Sequence, residues 1–172
     1  YYINTKTNIT TIRYADWFIT TNVLLVSFSL FLLYNKIKQS TDHTQRETLD
    51  QLSNKNVISV IKENSRTYVK MLSANTAMLI FGFLGELKIL KKIPALVLGM
   101  FFFILSFYYL LSNLAGYVPI NMIVSSVFIS IWLCYAVAFM CDFTTKNIMY
   151  NLLDLVSKNL FGIFLFFYMA YA

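Results

Sequence analysis

The sequence predicts an all-α membrane protein, a bundle of transmembrane helices. Three observations carry that expectation. Hydrophobic residue types make up 58% of the 172 residues. Charged types make up only 13%, about half the roughly 25% of a soluble domain. The stretch from Ile93 through Cys141 holds no Asp, Glu, Lys or Arg, whereas one spanning helix needs roughly 20 apolar residues. Mean hydropathy is +0.62. These values exclude a disordered chain, a nucleic-acid-binding arm and an ordinary soluble enzyme. No alternating pattern of about ten residues recurs, so a membrane β-barrel is not expected. Helices are then the remaining way to satisfy the backbone in lipid.

Five spans follow in order. The first covers about residues 9–34, and 17–35 is free of charge. The second covers 68–87, with a short uncharged centre at 71–85. The third and fourth, 93–112 and 119–140, share the long apolar run. Asn113, Gly116 and Pro119 mark the turn between them. The fifth covers 147–172. The segment 36–66 differs in kind. It sets Lys36, Lys38, Arg46, Lys55, Lys62 and Arg66 against Asp42, Glu47, Asp50 and Glu63. Leu49 and Leu52, then Val57, Val60 and Ile61, fall at helical spacing. This reads as a polar loop with a short amphipathic helix, a solvated connector rather than a membrane-surface element. The chain starts at Tyr1 without Met and stops inside the apolar run 161–172, so a piece of a longer protein is expected.

The net charge of +6 sits in that loop and one short turn, so no nucleic-acid partner is expected. Six Lys and Arg lie in the loop, with Lys70 just beyond. The turn on the same side carries none. Lys6, Lys88, Lys91, Lys92 and Lys146 lie on the other side. The excess favours the loop as cytoplasmic. Cys134 and Cys141 are seven apart, roughly 10.5 Å along a helix axis. That is too far for a disulfide, and they read as two packed core thiols.

Ionisable residues at membrane depth carry the chemistry. Arg13 and Asp16 lie in the first span, and Asp154 and Lys158 in the fifth. Each such charge costs roughly 2.5–3.5 kcal/mol to insert. Asp154 and Lys158 share a helix face at i and i+4, as Arg13 and Asp16 do at i and i+3. Two acids and two bases can form one neutral quartet between two helices. Such a quartet serves as an ion-pair clasp, an ion pathway or a ligand's counterion site. A desolvated lysine is also a Schiff-base former, because burial disfavours its charged form. Trp132, Tyr135 and Phe139 follow one face at i, i+3 and i+7. They and Trp17 suit either a core stripe or a long apolar ligand. Gly82 and Gly85 read as close-packing points between helices.

The residues also carry a family resemblance. Arg13-Tyr14-Ala15-Asp16-Trp17-Phe18-Ile19-Thr20-Thr21 closely resembles the third-helix signature of the microbial (type 1) rhodopsins. Leu153-Asp154-Leu155-Val156-Ser157-Lys158, with Phe161-Gly162, resembles their seventh helix. Trp132-Leu133-Cys134-Tyr135 resembles the sixth-helix aromatic pair. Ala74-Asn75, Met78 and Gly82 resemble the fourth-helix face beside the chromophore ring. The matches occur in the family's order.

The resemblance implies a seven-helix bundle, of which this chain supplies the third to seventh helices and lacks two N-terminal ones. It implies all-trans retinal as cofactor, joined to Lys158 as a protonated Schiff base. Asp16 would be counterion and proton acceptor, and Asp154 the second counterion. Arg13 would link this region to the outer half-channel, and Thr20 would bond near Asp16. Trp17, Thr21, Leu24, Met78, Gly82, Trp132, Tyr135 and Phe139 would line the chromophore. An apolar Leu24 implies green absorption. Membrane lipid, transported protons or cations, and further copies of the chain are the expected partners. A light-driven transporter or photoreceptor is expected rather than an enzyme.

The chain also departs from the family. Asn22 and Ala136 stand where prolines are usual, and Phe139 stands where Trp is common. Ser27 stands where efficient pumps carry an inner carboxylate. The outer glutamates of the best-known pumps have no counterpart, Asp142 being the one acid near that connection. A light-driven outward proton pump is the leading expectation. A light-gated cation channel or a sensory photoreceptor is the second, and a non-photochemical ion-pair clasp the third.

Overall fold

The computed structural model describes residues 2–39 and 57–171. Among them there are helices and short connections but no strand. The long helix α1 spans Tyr2–Lys38 and the short α2 spans Val57–Glu63. They are followed by α3 (Ser65–Glu86) and α4 (Lys92–Leu110). A π-helical turn, Leu111–Ala115, ends α4. Then come α5 (Pro119–Met140) and α6 (Phe143–Asp154). A second π-helical segment, Leu155–Leu160, joins α6 to α7 (Phe161–Tyr171). Five stretches are long and apolar enough to cross a membrane: Asn8–Lys38, Ser65–Glu86, Lys92–Ala115, Pro119–Met140 and Phe143–Tyr168. The last joins α6, the π segment and most of α7 into one crossing.

The crossings alternate in direction. One end of the bundle, the loop end, carries Lys38, Ser65, Ala115 and Pro119. The other, the Arg13 end, carries Glu86, Lys92, Met140 and Phe143. Local chemistry fixes the reversals. Gly116 adopts φ 61°, a left-handed conformation that glycine reaches without a Cβ clash. A Cβ there would also lie 3.1 Å from Lys36 Cγ. Pro119 opens α5, where a missing N–H costs nothing. Asp142 caps α6 by accepting from the Thr144 and Thr145 amides at 3.0 and 3.1 Å. The Thr145 side chain and these amides hold its carboxyl below the usual carboxylate range.

The interior has two clusters. The larger centres on Leu25, Phe28, Phe31 and Leu32 of α1, which meet Phe103 and Phe107 of α4 and Phe128 and Trp132 of α5. The smaller, toward the Arg13 end, holds Tyr14, Trp17, Leu79, Ala138 and Tyr150. Apolar residues such as Ile12, Ile19, Ile104 and Phe166 face outward, as suits a bundle dissolved in hydrocarbon.

Several local expectations change. Residues 36–38 continue α1 and 65–66 begin α3, so the polar loop is shorter than 36–66 at both ends. Within it, α2 carries Val57, Val60 and Ile61, whereas Leu49 and Leu52 lie outside the described residues. Lys146 is not a loop residue but sits in α6, buried. The Asp142 cap starts that helix before Asn147. Cys134 is exposed rather than packed in the core, because Trp132 and Phe139 take the inward face of α5.

Gly85 is a point of closest approach between helices. A Cβ there would lie 2.6 Å from Ala95 Cβ and 2.8 Å from Phe139 Cζ. Ala95 cannot swing aside, so α3 and α4 would have to part. Gly85→Ala is expected to destabilise the protein by about 1–3 kcal/mol, the usual cost of overpacking. Thermal melting in detergent checks this, and an unchanged midpoint would show that the contact yields freely.

Candidate functional site

The site lies where α1 faces the π-helical segment after α6. Widening the helix at Leu155–Leu160 re-aims the side chains that follow Asp154, and such bulges recur at functional sites. Lys158 Nζ lies 2.7 Å from Asp16 Oδ2 and 3.6 Å from Asp154 Oδ1. Arg13 Nη1 lies 3.7 Å from the other oxygen of Asp154. The four ionisable residues thus meet across two helices as two acids and two bases. Arg13 pairs with Asp154, not with Asp16 on its own helix.

Asp154 is the most heavily engaged member. Trp17 Nε1 donates to both of its oxygens at 3.2 Å. Tyr135 O–H donates to Oδ1 at 2.7 Å and lies 2.8 Å from Ser157 Oγ. Asp16 has fewer partners, the Thr20 hydroxyl at 3.4 Å beside Lys158. The Asp16 side chain is 52% exposed, against 24% for Asp154. Arg13 is fixed by Asn147 at 3.2 Å and Asn151 at 2.9 Å. Its guanidinium also lies 5.4 Å from the Tyr150 ring centre, within cation–π range.

A cavity of about 120 Å³ starts at Lys158 and runs between α3, α4 and α5. Trp17, Thr21, Leu24, Met78, Gly82, Trp132, Tyr135 and Phe139 all line it, as do Asp154 and Lys158. Its remaining walls include Leu96, Gly99, Met100 and Phe103, which are nearly all apolar. A second, open groove beside α1 is lined by Asp16, Thr20, Leu24, Ser27, Lys158 and Asn159. Lys158 therefore stands between the apolar cavity and an open groove in which Asp16, Thr20, Ser27 and Asn159 sit among apolar residues such as Ile19, Val23, Leu165 and Phe166. The cavity walls are suited to apolar contact, and Lys158 Nζ is the amine that reaches them.

Further polar contacts surround the site. Asn75 donates to Thr21 Oγ1 at 2.8 Å and to Asn22 Oδ1 at 2.9 Å, tying α3 to the turn of α1 beside the cavity. Asn22, in the place of a usual proline, uses its side chain for this tie and for Phe18 O at 2.7 Å. Glu86 of α3 and Lys146 of α6 form a buried ion pair at the Arg13 end. Neither residue carries a periodicity or spacing that marks it, because two whole crossings, Lys92–Ala115 and Pro119–Met140, lie between the partners.

Comparison with known proteins bears on family and fold. The family model described as "Bacteriorhodopsin-like protein" matches residues 1–172. The crystal structure of the viral rhodopsin OLPVRII is similar, with a TM-score of 0.72 and 27% identity over 96% of this chain and 68% of that one. No curated protein matches.

The Glu86–Lys146 pair yields a prediction. Its side chains are only 7% and 10% exposed, and removing one partner of such a pair typically costs about 3–5 kcal/mol. Lys146→Met is therefore expected to lower stability sharply. Combining it with Glu86→Leu should restore most of the loss, because no lone charge then remains. Melting of the two variants checks this. Equal losses in the single and double variants would contradict it.

Proposed function

The chain belongs to the bacteriorhodopsin-like family, and from that premise we propose a light-driven outward proton pump in which Lys158 carries all-trans retinal and Asp16 accepts its proton. The position of Lys158 Nζ supports the reading, at the edge of the apolar cavity and 2.7 Å from Asp16 Oδ2. The family implies a retinal chromophore. Retinal, when bound, supplies absorption of visible light and an isomerisation that alters the surroundings of the lysine nitrogen.

The chain's own residues do the rest. In the dark, Asp16 and Asp154 balance the positive charge at Lys158 Nζ. Both oxygens of Asp154 are already held by Trp17, and Tyr135 holds one of them again. Asp16 Oδ2 is nearer and less engaged, so it is the better-placed acceptor when Nζ releases its proton. Arg13, pinned by Asn147 and Asn151, stands next on the way to the Arg13 end. That end faces outward if the Lys- and Arg-rich loop is cytoplasmic. We also place two further helices on the open groove beside α1. The chain spans 68% of the viral rhodopsin, and covering Asp16 would remove a charge from contact with lipid.

Ser27 favours a second reading, a light-gated cation channel or a sensory photoreceptor. It lines the groove on the loop side of Lys158, but its hydroxyl does not ionise near neutral pH and so cannot serve as a proton donor. As a pump the protein must therefore draw its returning proton from water or from an acid elsewhere.

Three outcomes are expected. Borohydride reduction of the retinal-loaded protein should trap the chromophore on the peptide containing Lys158. Trapping elsewhere would end the reading. The pigment should absorb green light and move to the blue in Leu24→Gln, because a polar group near the lysine end stabilises localised charge. A blue parent would contradict this. Photocurrent should persist against an opposing voltage, and recovery after a flash should slow as pH rises and speed up in Ser27→Asp. A current that reverses at the ion gradient would favour the channel.

A further inference from the structure

At the loop end, α2 and α3 carry a row of cations on their outer face. Ile58, Lys62, Arg66 and Lys70 recur every fourth residue, and all four are exposed. Helical hydrogen bonding carries the row across the junction of the two helices. Asn64 N donates to Val60 O at 3.3 Å, and Tyr68 N donates to Asn64 O at 3.1 Å. Val60, Tyr68 and Met71 on the opposite face are buried, so the row looks away from the core. Among the described residues, no carboxylate forms an ion pair with Lys62, Arg66 or Lys70. Glu63, beside Lys62, lies off the row. Nothing in the proposed chemistry at Lys158 uses these cations.

The row enters the membrane. The crossing starts at Ser65, so Lys70 lies about 7.5 Å and Ser73 about 12 Å inside that end. A lysine at such depth keeps its ammonium near the surface by extending its stem. Lys70 Nζ stands 5.4 Å from the ring centre of Tyr109 on α4, a cation–π contact in place of an ion pair. Beyond it, α3 and α4 meet in a half-exposed seam. Phe102, Leu105 and Tyr109 follow one face of α4. Phe81 of α3 stacks on Phe102 at 5.5 Å, with the ring planes 10° apart. From Lys70 to Phe81 the seam runs about 16.5 Å, close to the roughly 15 Å of one leaflet's hydrocarbon. Cations therefore stand at headgroup level above an apolar seam one leaflet deep.

We propose that Lys62, Arg66 and Lys70 bind the phosphate headgroup of an anionic phospholipid from the loop-end leaflet, with one acyl chain lying along the α3–α4 seam. Charge complementarity selects this occupant. Three cations at intervals of one turn repel one another. An anionic headgroup between them removes that repulsion, whereas a zwitterionic headgroup brings a cation of its own. The seam selects a lipid over a soluble phosphate, which would leave the aromatic edge uncovered. Lys62 belongs to α2, so the same lipid ties α2 to α3 at the membrane surface. On this account α2 is a membrane-surface element, where composition alone reads as a solvated connector. The site is independent of the chemistry at Lys158.

A tryptophan placed at the seam reads the lipid beside it. Ser73→Trp in the full chain is reconstituted in phosphatidylcholine vesicles. Its fluorescence is then quenched by added lipid with brominated acyl chains, either phosphatidylglycerol or phosphatidylcholine. Ser73 is exposed on α3. Val127→Trp is the reference, at an exposed position of α5 about 12 Å from the same end. The background from buried Trp17 and Trp132 is read from the chain without either substitution. At Ser73→Trp, phosphatidylglycerol should be preferred about five- to twenty-five-fold, the range that one or two cations supply near a membrane surface. At Val127→Trp the preference should be slight. Adding Arg66→Gln and Lys70→Gln should bring the Ser73→Trp value down to that of Val127→Trp. Equal preference at the two positions overturns the site, because it marks a diffuse surface field. A preference that survives the added substitutions overturns the assignment to these cations. Inorganic phosphate should leave the quenching unchanged, and displacement by it overturns the lipid in favour of a soluble anion. If the chain with the added substitutions does not fold, Ser73→Trp against Val127→Trp decides. Neither reading needs a chromophore, so failure here leaves the reading of Lys158 untouched.

Discussion

The arrangement on which the rest depends is the meeting of Lys158 with Asp16 and Asp154 at membrane depth, with Asp154 partly buried and Asp16 on an open groove. A lone charge at that depth is expensive, and a paired one is tolerable only where its partners are held in place. The structure meets this condition by binding α1 to the crossing that carries Lys158. Trp17 and Arg13 of α1 both reach Asp154, and Asp16 of α1 reaches Lys158. The π-helical segment at Leu155–Leu160 is part of the same device, since it sets the orientation of Ser157 and Lys158 beside Asp154.

The same constraint shapes the surroundings of Lys158. The side toward α3, α4 and α5 is apolar and holds the cavity. The groove beside α1 is also largely apolar, but it brings Asp16, Thr20 and Ser27 to the same nitrogen. A lysine nitrogen placed in this way meets apolar surface on one side and an ionisable partner on the other. Aromatic contacts keep the arrangement rigid. Trp17 meets Tyr135 and Tyr150 edge to face at 5.4 and 4.9 Å, a geometry that such rings favour. The ring of Tyr135 and its hydroxyl thus work together, one packing on Trp17 and the other bonding Asp154.

Much of this was legible in the sequence because it is written in local spacing. The charge-free run of α4 and α5 shows as composition. Asp154 and Lys158 are one turn apart, and Trp132, Tyr135 and Phe139 repeat at helical intervals. What stayed hidden depends on partners far apart in the chain. Lys146 looks like an ordinary loop lysine until Glu86 is brought against it. Asn35 and Asn121 are unremarkable polar residues near span ends, and only packing turns them toward each other. The π-helical widening has no residue signature of its own, since Leu155–Leu160 reads as plain helix. Cys134 was misplaced because an apolar helix offers no polar face to tell its lipid side from its core side.

The central claim is that Asp16, rather than Asp154, takes the proton that leaves Lys158. Light-minus-dark infrared difference spectroscopy of the retinal-loaded protein tests it most directly, because a carboxylate that gains a proton acquires a carboxylic C=O stretch. The band should rise as the lysine nitrogen loses its proton, vanish in Asp16→Asn and persist in Asp154→Asn. A band that persists in Asp16→Asn and vanishes in Asp154→Asn would contradict the account.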